Sequence, residues 1–339
     1  MILSRIQKLI LEVGVIAGSL LLCHFLSGQS DLQLQSIRFT EDDGLYWNNS
    51  YDVLLDDDGY AWLLHKDAIS RFDGQESIVF SPNAAGKFKL EGQRYNSFFK
   101  DRDGIIWACS NTGLYRINPR TFETDTIQLS VDENLYSFSK NSVNNVSQIN
   151  DTTLFVGREK SGYSLLNTRT LKSENFLPFK NLKEAQRLEH FPNSIGKVLP
   201  DPKRENYFWA NTAYGFMEIN LKEKSYTYFK PDTLDFIVLR DMVIDKDGII
   251  WATTWVHGIC SFDTNTQDIN IYNCPKGDNY PKSCRNGSSL IKYDENTLLI
   301  AGAFGLYTFD KSSHGWNWLN NRQLRSHLPG SPSLLYRDK

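Results

Sequence analysis

Between residues 95 and 118, apolar and polar positions alternate in short runs separated by turn signals. Tyr95 to Lys100 alternates, Asp101-Arg-Asp-Gly104 interrupts, and Ile105 to Ser110 alternates again. A second turn ends at Gly113, and Leu114 to Asn118 follows. A period of two over runs this short predicts half-buried β-strands. An Asp-Gly pair predicts a tight hairpin, because Gly accepts positive φ and Asp caps the backbone beside it. A fourth, weaker strand is predicted after the turn at Pro119-Arg-Thr-Phe122.

The same pattern recurs along the chain. Asp245 to Asp263 and Asp56 to Asp73 are close copies of Asp101 to Asn118. Asn150 to Asn167, Asp201 to Asn220 and Asp294 to Asp310 are weaker copies that lack the Asp-Gly turn or the Trp. The aligned positions are Trp62, Trp107, Phe155, Trp209, Trp251 and Ile300, in steps of 45, 48, 54, 42 and 49 residues. That period fits the blade of a β-propeller and is too long for a leucine-rich repeat. One four-stranded sheet cannot bury both its faces alone, whereas stacked blades can. The expected fold is therefore all-β: a β-propeller of four-stranded blades, six of them plus the start of a seventh. Trp62, Trp107, Trp209 and Trp251 are expected in the layers between blades, and Gly59, Gly104 and Gly248 in the hairpin turns. Residues 126–145, 172–195 and 268–288 depart from the pattern and read as long connections between blades.

The N-terminus changes the picture. Arg5 and Lys8 precede an uncharged, mostly apolar run of 11 residues, Val13 to Cys23, and small or polar residues follow to Ser30. That order predicts a signal peptide over residues 1–30, followed by the propeller domain over 31–339. The run is shorter than the roughly 20 residues a membrane span needs. A periplasmic location is expected. An export compartment permits disulfides, and Cys274 and Cys284 flank a loop they could close into a small ring. Cys109 falls inside a predicted strand and reads as a buried apolar residue.

Composition adds exclusions. A net charge of -3 with no basic stripe argues against nucleic acid. The six histidines show no metal-ligand spacing, so no metal and no cofactor is expected. The Asp-x-Asp-Gly turns lack the distal Glu of a calcium loop and read as turn caps. They also resemble the Asp-boxes of sialidases, which raises a propeller enzyme acting on glycans or lactones as an alternative. Glycoside hydrolysis needs a placed carboxyl pair, and turn carboxylates scattered along the chain identify none.

The repeat resembles the two-component-regulator propeller repeat, whose pattern is roughly Asp-x-x-Gly-x-x-Trp-x-Gly-Thr-x-x-Gly-Leu-x-Arg-Phe/Tyr-Asp. Ile37 to Leu45 is similar to that family's lead-in, and Arg71-Phe-Asp-Gly74 to the end of its first blade. The first copy departs by having His65 and Ala68 where Thr and Gly are usual. The resemblance implies a non-catalytic sensor: the periplasmic part of a hybrid histidine kinase receptor of Bacteroidetes-type bacteria, often tuned to oligosaccharides. Kinase activity and membrane attachment would belong to downstream segments. Leu328 to Lys339 reads as the start of a seventh blade, so the domain is expected to be incomplete at that end.

In a propeller, the turns between second and third strands fall on one face. Here they place Lys66, Asn111, Arg158, Tyr214, Trp255, His257 and Phe304 there, and that face is expected to contact a small carbohydrate or other periplasmic ligand. Taken singly, each aromatic could simply pack on its neighbouring blade. A homodimer or a protein-interaction scaffold is a further expectation.

Overall fold

The computed structural model describes residues 39–48, 50–129, 141–181, 192–275, 286–302 and 305–319, with the backbone of Ile10–Gly14, Leu20–Cys23 and Pro332–Arg337. Six four-stranded antiparallel sheets account for most of it. Two single 3-10 turns, Glu41–Asp43 and Gly86–Phe88, are the helical elements among the described residues. No helix among them is long and apolar enough to cross a membrane. The protein is an all-β propeller, as expected, and each repeat copy is one blade.

The second blade shows how a repeat folds. Its strands are Tyr95–Lys100, Ile106–Ser110, Leu114–Ile117 and Thr124–Ile127, paired in sequence order. Asp101 makes the first hairpin. Its Oδ1 accepts the N–H groups of Asp103 and Ile105 at 3.0 and 2.9 Å, and its Oδ2 accepts Trp107 Nε1–H at 2.7 Å. Gly104 has φ 78°, a conformation that would strain an L side chain. The motif is thus one bonded unit: the Asp caps the turn and also satisfies the indole N–H of a fully buried Trp. The first and fifth blades repeat it, with Trp62 on Asp56 at 2.8 Å and Trp251 on Asp245 at 3.3 Å. In the fourth blade Trp209 reaches Asp201 at 2.9 Å across a longer turn. Trp62, Trp107, Trp209 and Trp251 are all buried, and so is Cys109, a free thiol.

The hairpin between third and fourth strands is also regular. Asn118, Asn167, Asn220, Asp263 and Asp310 each accept two backbone N–H groups on Oδ1, from the residues two and three positions on. This is the Asx turn those side chains favour.

The chain divides into two compact units, Met1–Glu91 with Cys274–Lys339, and Gly92–Asn273. The first contains the first and sixth blades. Its Ile10–Gly14 strand pairs antiparallel with both Leu20–Cys23 and Pro332–Arg337. Two strands therefore lie within the span expected as a leader, and Pro332–Arg337 falls where a seventh blade was expected to begin. The second unit holds the second to fifth blades, stacked through three apolar layers. Trp107, Val146, Leu154 and Leu166 join the second blade to the third. Phe155, Tyr163, Val198 and Met217 join the third to the fourth. Trp209, Phe216, Met242 and Phe262 join the fourth to the fifth.

The stretches expected as long connections are shorter than the sequence suggested. Thr124–Ile127, Ser173–Phe176 and Ile269–Tyr272 form the fourth strands there. Each pairs on one side alone and is only partly buried, so its apolar pattern is weak. Cys274 is disulfide-bonded, and Cys284 lies outside the described residues.

Candidate functional site

In the second unit, one end of every blade is built in the same way. The first strands interrupt their own alternation: Tyr95/Phe98, Val143/Val146, Ile195/Val198 and Leu239/Met242 are buried apolar residues three apart. A period-two element can hold that spacing only through a bulge, and the pairing register shifts within each of these intervals. The bulges turn out the polar residues between: Asn96-Ser97, Asn144-Asn145, Gly196-Lys197 and Arg240-Asp241.

The turns between second and third strands are tied to the same place. Asn111 N–H donates to Arg94 O, Glu159 to Ser142, Ala213 to Ser194 and Trp255 to Val238, all at 3.1 to 3.3 Å. Each turn is therefore held beside the start of its own bulged strand. Thr212 and Thr254 sit buried at the turn entrances. Their hydroxyls accept the N–H groups of Tyr214 and His257 at 3.0 and 2.8 Å, and donate to Gly215 O and Gly258 O.

Side chains of one blade bind the bulged strand of the next. Asn96 Nδ2 donates to Val143 O at 2.8 Å, and Ser97 Oγ to Asn144 O at 2.9 Å. Asn144 Nδ2 donates to Ile195 O at 3.1 Å. Asn211 Nδ2 donates to both Leu239 O and Arg240 O, at 3.2 and 3.0 Å. Lys197 Nζ pairs with Asp241 Oδ1 at 2.9 Å. Burial moves the Arg240 guanidinium below its usual range, although the residue retains exposed surface.

An apolar patch lies beside this polar belt. Trp255, Val256 and Phe236 are 50%, 55% and 36% exposed. The bond from Trp255 N–H to Val238 O brings turn and strand entrance together. In the adjacent fourth blade, Tyr214 lies edge-on to Tyr228 at 6.1 Å between centroids, and Phe179 of the preceding connection lies edge-on to the same ring at 6.4 Å.

The expected face residues divide. Trp255 is exposed, while Asn111, Tyr214 and His257 are half-buried in the turns, as expected. Asn111 Oδ1 is shielded from solvent without a hydrogen-bond partner. Lys66 is exposed in the corresponding turn of the first blade, which belongs to the other unit. Phe304 lies outside the described residues.

Arg158 is a correction. It is fully buried, and its Nη1 donates to Asn175 Oδ1 at 3.2 Å and Ser164 Oγ at 3.4 Å. Loss of hydration lowers its guanidinium to about 10. Counting from the ring explains it: Arg158 stands three residues after Phe155, as Ser110, Thr212 and Thr254 stand three after their Trp, and all four are buried. The residue equivalent to Asn111 is Glu159. The sequence reading also missed Phe236, Val256 and the bulge pairs. The three-residue apolar spacing in a strand would have revealed the bulges.

No family model matches the chain, and no curated protein sequence matches it. Solved structures do. The extracellular domain ascribed to the hybrid two component system BT3049 of B. thetaiotaomicron superposes with a TM-score of 0.66 at 18% identity, over 87% of this chain and 38% of that one. The corresponding domain ascribed to BT4673 of the same organism gives 0.63 at 13%, over 91% and 48%. Virginiamycin B lyase from Staphylococcus aureus gives 0.59 at 14%, over 83% and 85%. The fold is shared with all three. The chain spans less than half the length of the two sensor domains.

Proposed function

We propose that this chain is the exported, ligand-sensing propeller of a two-component receptor, itself non-catalytic, and that it recognises an oligosaccharide or a related periplasmic ligand. Exposed Trp255, Val256 and Phe236 beside the Arg240-Asp241 bulge carry the reading. A pyranose presents C–H groups on its faces and hydroxyls on its rim. It gains from an aromatic ring and from fixed polar groups at the same time. The fold likeness to extracellular sensor domains supports the sensing role. In this reading the histidine kinase output belongs to other segments of the receptor, and a homodimer relays the signal.

The test is titration calorimetry of the full chain against a panel of neutral and acidic oligosaccharides, with thermal shift as a second readout, since ligand bound to the folded state raises the midpoint. Trp255→Ala is expected to weaken the best ligand about tenfold, about 1.4 kcal/mol. Arg240→Ala should weaken acidic sugars more than neutral ones. Unchanged affinity in both variants would remove this face from consideration. Turnover of any panel member would overturn the non-catalytic reading.

A further inference from the structure

Three large aromatic side chains of the first unit stand in solvent. Tyr46, Trp47 and Tyr51 are 44%, 42% and 39% exposed. Grouped exposure of this kind leaves apolar surface in water that folding ordinarily removes. The rings are nevertheless held in place. Glu41 N–H donates to Asn48 Oδ1 at 2.9 Å, and Asn48 N–H to Glu41 Oε1 at 3.1 Å, closing the loop on either side of Tyr46 and Trp47. Thr40 donates its N–H and hydroxyl to Asp43 Oδ2 at 2.8 and 2.9 Å. Gly44 has φ 93°, and a Cβ there would lie 1.7 Å from Gln75 O, so the loop can lie this close to the blade only with glycine at that point. Ser77 Oγ donates to Gly44 O at 2.8 Å. Tyr46 meets the buried His65 ring edge-on at 5.3 Å, and Trp47 stacks over it at 6.4 Å. Tyr51 N–H donates to the carbonyl of Leu64, the residue before His65, at 2.7 Å, which holds the Tyr51 backbone at the entrance of the same turn.

The charge on the segments that carry these rings is mostly negative. Among the described residues, the loop, the start of the first blade and the His65–Ala68 turn carry Glu41, Asp42, Asp43, Asp52 and Asp67 against the cation Lys66. Asp42 and Asp67 are exposed. An anionic ligand is repelled here. A neutral sugar could stack on the rings and donate hydroxyls to the carboxylates, but it gains no charge attraction. A cation gains from both, because aromatic faces carry negative quadrupole potential and the carboxylates add to it.

We infer that Tyr46, Trp47 and Tyr51 form a binding site for an organic cation, an ammonium or quaternary ammonium group carried by the ligand. The site belongs to the first unit and rests on none of the reading given for the second-unit face. The group could come from a free small amine or from an amine-bearing polymer.

Calorimetry on the full chain separates these sources. The probes are choline, a chitosan hexamer with charged amines, and a chitin hexamer whose acetylated nitrogens are neutral. Choline, the chitosan hexamer or both should bind more tightly than the chitin hexamer, and added salt should weaken them. Trp47→Ala should weaken the cationic probe about threefold to thirtyfold. Asp42→Asn and Asp67→Asn alter exposed groups only, so they keep the test open if Trp47→Ala fails to fold. Each should weaken the cation while leaving the unfolding midpoint in place. Trp255→Ala should change nothing here. Chitin hexamer binding as tightly as the better cationic probe, full cation affinity in folded Trp47→Ala, or no binding of choline and chitosan at millimolar concentration would each overturn the inference. The oligosaccharide reading of the other face would still stand.

Discussion

The second and third blades of the same unit reach one architecture by different means. Both have four antiparallel strands and bury an aromatic ring at the centre of the second strand. In the second blade that ring is Trp107, and its N–H and the hairpin are both satisfied by Asp101. The third blade has neither Trp nor Asp-Gly. Its hairpin is shorter, with Asn150 Oδ1 accepting only the Thr152 N–H from the backbone, at 3.0 Å. Phe155 instead stacks on Tyr163 at 4.4 Å, and Tyr163 on Phe176 at 5.0 Å. Tyr163 OH then donates to Tyr226 OH of the fourth blade at 3.2 Å. Burial and this bond push the Tyr163 phenol far above its usual range. One blade is held by a lock six residues long, the other by a stack that ends on its neighbour. The repeat thus specifies a geometry, and more than one set of side chains can meet it.

The largest expected difference follows from the lock. Asp101→Ala leaves a buried indole N–H and two turn N–H groups without their acceptor. It should cost about 2–4 kcal/mol by denaturant unfolding. Asn150→Ala, in the third blade, should cost about 1 kcal/mol or less. Equal losses would mean that the lock adds nothing beyond an ordinary turn cap.

A smaller effect is expected from Tyr163→Phe, which keeps the stack and removes one bond to the next blade. About 1 kcal/mol should be lost. Coupling to Tyr226→Phe in a double-mutant cycle should recover most of that loss. Additive losses would show that the two hydroxyls stabilise separately.

The smallest effect concerns pH and the outer turns. Backbone N–H groups hold the carboxyls of Asp73, Asp263 and Asp310 below their ordinary range. A depressed carboxylate stabilises the fold above its unfolded pKa of about 4, and that contribution is lost as pH falls through the folded value. Asp73 is exposed and Asp263 and Asp310 are half-buried, and solvent screens all three, so each contribution is small. The denaturation midpoint should decline between about pH 5 and pH 2, and Asp263→Asn should flatten the slope slightly. A midpoint that rises with acid would contradict the assignment.

Much of the fold was legible because its signals are local. Tyr95–Lys100 was read to the residue, and the second and third strands to within one. The fourth strands were weaker in sequence because they sit at a sheet edge with little to bury. The candidate face was legible in part. Trp255 and His257 could be assigned to a turn because they follow the strand that carries Trp251. Arg158 was counted into the turn, while its position three residues after the ring put it inside the blade.

What the sequence determined by itself is the period, the hairpins and the residues that fill the layers between blades. Turn caps, positive φ and two-residue alternation act over a few residues, so they can be read without knowing the rest of the chain. Tertiary structure decided which polar groups meet across blades. Lys197 and Asp241 lie 44 residues apart in sequence, and Asn144 and Ile195 lie 51 apart. Those bonds exist because blade stacking sets bulged strands side by side, where buried backbone carbonyls need donors. The same stacking shelters Arg158 from water and leaves Trp255 in it, a difference that depends on the neighbouring blade and not on either residue.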